Sequence, residues 1–373
     1  MRPLTYLTFD SLEEGVGASQ VLEYVLKIAQ SGRKVTIVSF EKNYPSESVQ
    51  KTLSEIEIDW QPLPFGKFGI LGGIYRVIRM SKEINMHSIV HARGNLSALA
   101  ALISRNRRWI WDCRSMHADQ RRSLNKKNNN YLIHRVMLAF EYLIARRSNK
   151  IIVITNAVIP IFRERYRINQ TKMVNITTCV NLDKFILQDL PRLDVINVLL
   201  SGTFSPAYDL DLINKIIAEM RRITRVNVTV AASLGATESW KSVNYDSYVS
   251  VSHNEMPSLV AKSHVGFSIW NNQLGICLKS VASTKTAEFL ATGRPVFINS
   301  QQGDFKELFS KFELGVVTDS NDDVSVEKYV QEIMSLLIDR EMPTRCRDLA
   351  NEYFSLEKGV THLVEIYSEL DLV

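Results

Sequence analysis

Residues Ser283 to Val296 read STKTAEFLATGRPV, and this segment carries a start and a stop signal for one helix. A hydroxyl residue such as Thr284 can cap a helix whose first turn contains Lys285. Gly293 is a typical residue just past a helix C-terminus, and Pro295 then leads into an apolar run. The segment therefore predicts a helix followed at once by a strand, which is one unit of an α/β fold.

The chemistry of this helix leaves two interpretations open. Lys285 and Glu288 are three residues apart, so they lie on one face of the helix. A helix N-terminus with a lysine and hydroxyl groups suits a diphosphate, and a carboxylate one turn further can accept hydrogen bonds from a ribose. The alternative is an ordinary amphipathic helix with a surface ion pair between these two side chains.

Outside this segment, short β-branched or aromatic runs alternate with helix-like stretches in both halves of the chain. This rhythm is typical of parallel sheets covered by helices on both faces. It restarts after Pro191, so we expect two Rossmann-like domains that face a cleft. The predicted strands of the first half are Leu4–Phe9, Val35–Phe40, Ser88–Arg93, Trp109–Cys113 and Ile151–Thr155. Those of the second half are Val195–Leu200, Val226–Ala231, Val265–Trp270, Val296–Ile298 and Leu314–Val317.

The size, charge and cysteine content of the chain exclude several classes of protein. The length of 373 residues suggests two domains, and a net charge of +5 is too small to indicate nucleic-acid binding. The cysteines form no CxxC pair, so the sequence indicates neither a zinc site nor a disulfide framework, and a cytoplasmic location fits. No apolar run approaches the ~18–20 residues of a membrane span. We therefore expect any membrane contact to be peripheral, on the inner face of the cytoplasmic membrane.

Basic residues are concentrated in the N-terminal half of the chain. They belong either to solvated helix ends and loops, or to a basic face that meets anionic lipid headgroups or a phosphate-bearing acceptor. Both interpretations stay open. The clustered residues are Arg105, Arg107, Arg108, Arg121, Arg122, Lys126, Lys127, Arg146 and Arg147.

A glycine-containing turn follows the first predicted strand. Gly15 and Gly17 precede a helix, where backbone N–H groups could approach a phosphate. The spacing G-x-G-A falls short of the full dinucleotide fingerprint, and no acidic residue clearly ends the second predicted strand, Val35–Phe40. Dinucleotide binding is thus only weakly indicated, and a tight turn that merely packs fits equally well.

Polar residues also stand at the ends of two predicted strands, where ligands bind in open α/β sheets. His91 and Arg93 are two residues apart and leave their strand on the same side. The next strand ends in a dense polar segment, for which we expect a site; the alternative is an internal ion pair of Asp112 with Arg114. The titratable members of that segment are Asp112, Arg114, His117 and Asp119.

Segment Ser283–Val296 resembles the P-x-K-x-x-E-x-L-A-x-G-x-P-V motif of family 4 glycosyltransferases, which have the GT-B fold. Other segments resemble the same family in the same order, so the resemblance covers nearly the whole chain. They are Gly15–Val38, Ile151–Tyr166, Thr178–Phe185 and Phe354–Tyr367. The resemblance implies an acceptor domain over residues 1–180, with a C-terminal helix over 357–373 packing back on it. It implies a nucleotide-sugar-binding domain over residues 181–356.

The resemblance further implies a retaining, metal-independent transferase. It would move a sugar from a nucleoside-diphosphate sugar to a saccharide or lipid-linked saccharide, in surface polysaccharide assembly of the lipopolysaccharide type. No cofactor is implied besides the donor substrate, and contact with an anionic membrane is expected, but not with nucleic acid. The candidate catalytic residues are Lys285, Arg93 and His117. The candidate donor-binding residues are Gly15, Gly17, Gly202, Thr203, Lys279, Ser283, Thr284, Lys285 and Glu288, and those on the acceptor side are His91, Asp112, Arg114 and Asp119.

Three positions depart from the family pattern. Ser280 stands where many members have a second carboxylate, and residues 201–205 lack the usual basic pair after the first strand of the C-terminal domain. Arg93 takes the place of the second histidine of an H-x-H motif. These departures motivate an alternative, a non-catalytic GT-B paralogue that acts as a binding or scaffold protein. An epimerase or phosphorylase is a third possibility, whereas the incomplete glycine fingerprint argues against a NAD-dependent dehydrogenase.

Overall fold

A computed structural model describes the chain apart from residues 14, 67–70, 125–130, 203–206, 233–241, 320–324 and 373. The described residues form two compact units, each built around one sheet. Unit 1 comprises residues 1–122 and 127–177 together with the C-terminal residues from Leu356 onward, and unit 2 consists chiefly of Thr178–Ser355.

Unit 1 contains a parallel sheet of seven strands in the order β3-β2-β1-β4-β5-β6-β7. The strands are β1 (Leu4–Leu7), β2 (Val35–Glu41), β3 (Asp59–Pro64), β4 (Ile89–Arg93), β5 (Trp109–Cys113), β6 (Lys150–Val153) and β7 (Met173–Asn175). Leu4 of β1 is in register with Val35 of β2 on one side and with Ile89 of β4 on the other. The order of the strands thus reverses between β1 and β4, and ligands of open α/β sheets bind at such a switch point.

The helices of unit 1 flank this sheet. They are α1 (Glu23–Gln30, preceded by a π-helical turn at Gly17–Leu22), α2 (Glu47–Glu55), α3 (Leu71–Lys82), α4 (Gly94–Ser104), α5 (His117–Leu124), α6 (Tyr131–Arg147), α7 (Ile159–Tyr166) and the C-terminal α14 (Leu356–Asp371). Helix α14 packs against α1 and β4. Its last residue, Asp371, accepts a hydrogen bond of 2.9 Å from the buried guanidinium of Arg33, which fastens the C-terminal helix to unit 1.

Unit 2 contains a parallel sheet of six strands in the order β10-β9-β8-β11-β12-β13. The strands are β8 (Ile196–Ser201), β9 (Val226–Ala231), β10 (Ser247–Val249), β11 (Val265–Ser268), β12 (Val296–Asn299) and β13 (Gly315–Thr318). The helices are α8 (Leu210–Ile223), α9 (Met256–Ala261), α10 (Thr284–Ala291), α11 (Phe305–Phe312), α12 (Val326–Ile338) and α13 (Met342–Tyr353), with a 3-10 helix at Asn272–Ser280. Its switch point lies between β8 and β11.

Two features of the sequence fix the position of α10. Gly266 of β11 lies so close to the helix that an added Cβ would be 2.5 Å from the ring of Phe289, so only glycine allows this packing. After the helix, Arg294 is completely buried, and burial lowers its pKa to about 10. The buried guanidinium is compensated by hydrogen bonds to backbone carbonyls, as a buried charge requires. The acceptors are Gln188 at 2.7 Å, Asp189 at 2.9 Å, Ala261 at 2.7 Å and Thr292 at 3.1 Å.

The two parallel sheets with alternating helices confirm the predicted fold class of two Rossmann-like domains. Strand bounds differ by one or two residues at several ends. The difference with a consequence is in β2, which continues beyond Phe40 to Glu41. An acidic residue therefore does end the second strand, contrary to the expectation from the sequence. The side chain of Glu41 is buried and accepts a hydrogen bond from the Leu12 N–H in the loop after β1.

Candidate functional site

The switch point of unit 2 brings together segments that are distant in the sequence. Gly202 follows β8 directly, Trp270 follows β11, and α10 begins nearby at Thr284. The side chain of Lys285, in the first turn of α10, reaches the loop after β8: a Cβ added to Gly202 would lie 2.9 Å from Lys285 Cε and 3.0 Å from Nζ. Because residue 202 has no side chain, the ammonium group of Lys285 can occupy this position.

Lys285 is held there by an aromatic residue. Its Nζ donates a hydrogen bond of 2.6 Å to the hydroxyl of Tyr208 and lies 4.7 Å from the centroid of the Tyr208 ring. Tyr208 is itself stacked on Trp270, with ring centroids 4.3 Å apart. The backbone N–H of Trp270 donates to Asn299 Oδ1 at 2.5 Å, and its indole N–H donates to Ser268 Oγ at 3.2 Å. The lysine is therefore orientated by a rigid pair of rings.

Glu288 lies one turn further along α10. Glu288 is only 6% exposed. Burial raises the pKa of this carboxyl group to about 7, although the nearby charge of Lys285 opposes the shift. A surface ion pair, the plain interpretation of the K-x-x-E spacing, does not fit a buried carboxyl group. Glu288 instead provides a carboxyl group that changes protonation near neutral pH and can accept hydrogen bonds from hydroxyl groups.

The first turn of α10 also presents unpaired polar groups. Ser283 is the N-cap residue, but its hydroxyl caps none of the first-turn N–H groups, all of which belong to described residues. The hydroxyls of Ser201, at the end of β8, and of Thr286 are buried without a hydrogen-bond partner among the described residues. The positive end of a helix that no N-cap side chain covers, beside a lysine, forms a site that suits an anion.

The other predicted donor residues of unit 2 are placed as follows. Lys279 is exposed in the 3-10 helix. The buried Ser280 donates its hydroxyl to the carbonyl of Cys277 at 2.8 Å, so the residue that replaces the family carboxylate serves the local backbone. Thr203 lies outside the described residues.

In unit 1, the glycine turn is a packed element of the loop after β1. Gly17 touches the backbone of Ser11 so closely that any side chain would collide with it, whereas Gly15 has a φ of +49° and open space around its Cα. Glu41 accepts hydrogen bonds from Ser39 Oγ at 2.6 Å, from the Leu12 N–H at 3.2 Å and from Ser11 Oγ. This carboxylate fixes Ser11 and Leu12 in the loop after β1, which was not predicted because the predicted strand ended one residue early, at Phe40.

Four of the predicted unit 1 residues form one buried cluster at the ends of β4 and β5. The carboxylate of Asp112 is at its centre. His91 Nε2 lies 3.1 Å from Asp112 Oδ2, Arg93 Nη1 lies 3.5 Å from the same oxygen, and Arg114 Nε lies 2.8 Å from Oδ1. The hydroxyl of Tyr367, from α14, is 2.7 Å from His91 Nδ1. The internal ion pair considered from the sequence therefore exists, inside a larger network.

The protonation states of this cluster follow from its contacts. Burial alone would raise the pKa of Asp112, but Arg114, His91 and Arg93 outweigh it and hold that pKa well below its usual range. Burial lowers the pKa of His91 despite the neighbouring carboxylate. We infer a neutral imidazole whose Nε2–H donates to Asp112 and whose Nδ1 accepts from Tyr367. His91 is completely buried with both ring nitrogens engaged, whereas Nη1 and Nη2 of Arg114 have no partner among the described residues.

The remaining predicted residues lie outside this cluster. His117 is the exposed first residue of α5, and partial desolvation together with Arg121 lowers the pKa of its imidazole. Asp119, two residues later, accepts a hydrogen bond from Arg165, and its Oδ1 lies 3.2 Å from His134 Nε2, so it pairs with α6 and α7. The structure thus divides the segment Asp112–Asp119 between a buried cluster and a separate set of contacts.

No protein-family model matches the chain, and no curated protein matches its sequence. Solved structures match it over nearly the full length. Sucrose-phosphate synthase from Thermosynechococcus elongatus has a TM-score of 0.75 at 13% identity and covers 100% of both chains. HepE from Anabaena, solved with UDP and glucose, has a TM-score of 0.68 at 13% identity, over 99% of this chain and 100% of that chain. WaaG, a glycosyltransferase involved in lipopolysaccharide biosynthesis, has a TM-score of 0.62 at 13% identity, over 96% of this chain and 98% of that chain.

The chain has the GT-B fold. These identities show the fold alone, so the chemistry of this GT-B chain must be argued from its own residues. Within the ranges described, no helix is long and apolar enough to cross a bilayer. Nor do the described residues contain three His, Cys, Asp or Glu side chains grouped so that they could hold a metal ion.

Sequence reasoning missed the two aromatic residues of the unit 2 site. Tyr208 and Trp270 are 62 positions apart, and they meet only because β8 and β11 are neighbours in the sheet. The one available signal was position, since each residue follows soon after a strand that borders the switch point.

Proposed function

We propose that this protein is a retaining glycosyltransferase that moves a sugar from a nucleoside-diphosphate sugar to a saccharide or lipid-linked saccharide, in the assembly of a surface polysaccharide. One observation carries the proposal. Lys285, the N-terminus of α10, which Ser283 does not cap with its side chain, and Gly202 lie together at the switch point of unit 2, beside a buried carboxyl group at Glu288. This arrangement matches the charge and the hydroxyl groups of a nucleoside diphosphate.

In this proposal, Lys285 binds the diphosphate together with the first turn of α10. The hydroxyls of Ser283 and Thr284 and the more distant Lys279 are further candidates for phosphate contacts. Glu288 accepts hydrogen bonds from the ribose hydroxyls, for which its carboxylate form is required. HepE is described in complexes with UDP and with UDP-glucose, so UDP sugars are the first donors to test.

The reaction breaks the bond between the anomeric carbon and the diphosphate oxygen. The electron pair of that bond stays on the leaving diphosphate, whose growing charge Lys285 and the helix N-terminus stabilise in place of a metal ion. The acceptor hydroxyl forms its bond to the same face of the anomeric carbon and gives its proton to the leaving phosphate. The configuration of the sugar is thereby retained.

We assign the acceptor to residues of unit 1. Arg114, whose side chain is 15% exposed, has two buried terminal nitrogens without a partner among the described residues, and it is the first candidate for contacts with acceptor oxygens. Arg93, whose side chain is 5% exposed, and His117 are the further candidates for contacts near the reacting groups. His91 and Asp112 support this set by holding the two guanidinium groups in place. WaaG, which shares the fold, is described as acting in lipopolysaccharide biosynthesis, and this motivates the polysaccharide role.

The test is turnover with UDP-, GDP- and ADP-sugars against a panel of saccharides and lipid-linked saccharides. We expect one donor to release its nucleoside diphosphate in step with product, and proton NMR of the product to show the anomeric configuration of the donor. An inverted configuration would refute the retaining mechanism. Nucleotide binding without turnover across both panels would favour the non-catalytic GT-B alternative, which the use of Ser280 in local backbone bonding motivates.

A further inference from the structure

Asp10 and Arg93 meet at the switch point of unit 1. Asp10 follows β1, Arg93 is the last residue of β4, and these two strands are neighbours in the sheet. Asp10 Oδ2 lies 3.5 Å from Arg93 Nε, and the side chain of Asp10 is 45% exposed. The guanidinium of Arg93 thus contacts two carboxylates, the completely buried Asp112 and the partly exposed Asp10.

Most of the hydrogen-bonding capacity of the Asp10 carboxylate is unused. A carboxylate offers about four lone-pair positions to donors. Two side chains approach it, and both approach Oδ2: Arg93, and the hydroxyl of Thr8 at 3.3 Å. Both distances are long for hydrogen bonds of this kind. Oδ1 receives no hydrogen bond from the described residues, so Asp10 can accept from a ligand without giving up a contact.

Two other carboxylates close to this switch point are fully engaged by the protein. Asp112 is enclosed by His91, Arg93 and Arg114. The buried Glu41 accepts hydrogen bonds from two hydroxyls and one backbone N–H. Neither of these groups can bind a ligand before it loses a partner, whereas Asp10 reaches the surface with one oxygen available.

The loop that carries Asp10 is held in place on both sides. Before it, the ring of Phe9 packs on the ring of Phe40, with centroids 4.9 Å apart. The Asp10 N–H donates to Thr8 Oγ1 at 3.0 Å. After it, the next two residues donate to the carboxylate of Glu41. The Asp10 carboxylate is therefore positioned before a ligand arrives, which reduces the entropy lost on binding.

We propose that Asp10 binds a hydroxyl group of the saccharide acceptor and that Arg93 holds the carboxylate in place. This assignment rests on the proposed function, in which the acceptor lies on unit 1. Sugar hydroxyls donate hydrogen bonds, and bonds to an ionised acceptor are about twice as strong as neutral ones. The hydroxyl that Asp10 binds is not the attacking one, because the proton of the attacking hydroxyl goes to the leaving phosphate.

The charge of Asp10 also defines the class of acceptor. A phosphate or carboxylate group at this place would meet a like charge, which disfavours its binding. A neutral sugar that presents a hydroxyl at this place meets an acceptor with an available oxygen. Asp10 is thus a residue that determines specificity for a neutral, hydroxylated sugar at the acceptor position next to β1.

The first test is the acceptor kinetics of Asp10→Ala, with the donor and the acceptor identified by turnover. The loss of a hydrogen bond to a charged group should lower kcat/KM for the acceptor roughly tenfold to a hundredfold. Asp10→Asn, which keeps an oxygen but loses the charge, should lower it less. The KM of the donor and the melting temperature should stay close to those of the wild-type chain, because the pair with Arg93 is partly exposed.

The matched control is Asp246→Ala in unit 2. The side chain of Asp246 is likewise 45% exposed and pairs with an arginine, with its Oδ2 2.7 Å from Arg221 Nη2. This variant should keep the wild-type kcat/KM for the acceptor.

The second test removes the acceptor hydroxyls one at a time. In the wild-type chain, one deoxy acceptor should lose as much kcat/KM as Asp10→Ala loses with the parent acceptor. The Asp10→Ala chain should use that deoxy acceptor and the parent acceptor equally well, because the contact is already absent. A residue that served only as counter-ion to Arg93 would not produce this coupling to a single hydroxyl.

Two results would overturn the assignment while leaving the proposed function intact. One is a wild-type kcat/KM for the acceptor in a folded Asp10→Ala chain. The other is a deoxy series that lowers kcat/KM by the same factors in the wild-type and Asp10→Ala chains. Absence of transfer by the wild-type chain with every donor and acceptor would overturn the proposed function, and the assignment of Asp10 with it.

Discussion

The switch points of the two units occupy equivalent places in similar sheets, yet they handle charge in opposite ways. In unit 1, the guanidinium groups of Arg93 and Arg114 surround the buried carboxylate of Asp112, so their charge is compensated inside the protein. In unit 2, the ammonium group of Lys285 rests on Tyr208, a neutral partner. An ammonium group has three donor hydrogens, so one that is held by a neutral hydroxyl can also bind an anion, whereas the charge of a guanidinium in a buried ion pair is already compensated.

Charged residues at a strand end are therefore not by themselves a binding site. The two sites differ in the group that their cations contact, which is the carboxylate of Asp112 in unit 1 and the hydroxyl of Tyr208 in unit 2. We therefore expect substitutions in the unit 1 cluster mainly to lower the free energy of unfolding. Substitutions at the unit 2 site should mainly weaken ligand binding.

The largest effect is expected for Asp112→Asn. It leaves the guanidinium of Arg114 without its counter-ion and leaves Arg93 with only the partly exposed Asp10, which should lower the free energy of unfolding by about 3–5 kcal/mol. Urea denaturation of the two chains measures this difference. Glu55→Gln, which breaks an exposed i,i+4 pair with Lys51, is the control and should cost less than about 0.5 kcal/mol. An Asp112→Asn chain as stable as the wild type would show that the cluster is not self-compensated.

Lys285→Ala should act on transfer rather than on stability. Losing the charge that stabilises the leaving diphosphate should lower kcat by about a hundredfold to a thousandfold, while the melting temperature stays within the range of a surface substitution. Steady-state kinetics with the donor identified by turnover measures the loss. Lys215→Ala, at an exposed lysine of α8, is the matched control and should keep wild-type rates. Wild-type kcat in a folded Lys285→Ala chain would remove this residue from the mechanism.

Glu288 predicts a dependence of stability on pH. Its pKa in the folded chain is about 7, raised by burial above its ordinary value, so the folded state holds a proton that the unfolded state has already lost. The contribution of Glu288 to the free energy of unfolding is fully present below the unfolded-state pKa of its carboxyl group. It is lost as the pH rises through the folded-state pKa near 7, by roughly 3 kcal/mol in total. Glu288→Gln should remove this loss, which is seen by comparing urea denaturation of the two chains at pH 5 and pH 8. Parallel pH profiles in both chains would contradict the raised pKa.

The smallest effect is expected for Tyr208→Phe. The ring and its stacking on Trp270 remain, and only the hydroxyl that accepts from Lys285 is removed. The loss of one hydrogen bond, about 1 kcal/mol, should weaken binding of the nucleoside diphosphate roughly fivefold. Calorimetric titration measures it. Equal or tighter binding would show that Tyr208 competes with the ligand for Lys285 instead of orientating it.

Much of the fold could be predicted from the sequence because the strands are buried runs of apolar residues and the helix signals are local. Ser283–Val296 is the clearest case, since its cap, its lysine and its Gly-Arg-Pro exit are all contained in fourteen residues. The partners of these residues could not be predicted in the same way. Tyr208 and Trp270 reach Lys285 through strand order, and Arg294 donates to carbonyls of three separate segments, at residues 188–189, at Ala261 of α9 and at Thr292.

In unit 1, the density of polar residues in the sequence did not show which of them lie together in the folded chain. Asp112 and Asp119 are seven positions apart, but Asp112 enters the buried cluster whereas Asp119 pairs with Arg165 and His134. The chain turns into α5 between them and sends the two carboxylates to different neighbours. The contacts of Glu41 were also not predicted, because the predicted strand ended at Phe40 and the Leu12 N–H that Glu41 accepts from lies 29 positions away in the sequence.

The most direct test of the central claim, that Lys285 and the start of α10 bind a nucleoside diphosphate, is a thermal-shift series. The wild-type and Lys285→Ala chains are heated with UDP, GDP, ADP and CMP. A nucleotide at a hundredfold excess over its dissociation constant stabilises the folded state by roughly 2.7 kcal/mol. We predict that one diphosphate raises the melting temperature of the wild-type chain and has little effect on the Lys285→Ala chain. A flat series, or equal shifts in both chains, would contradict the claim.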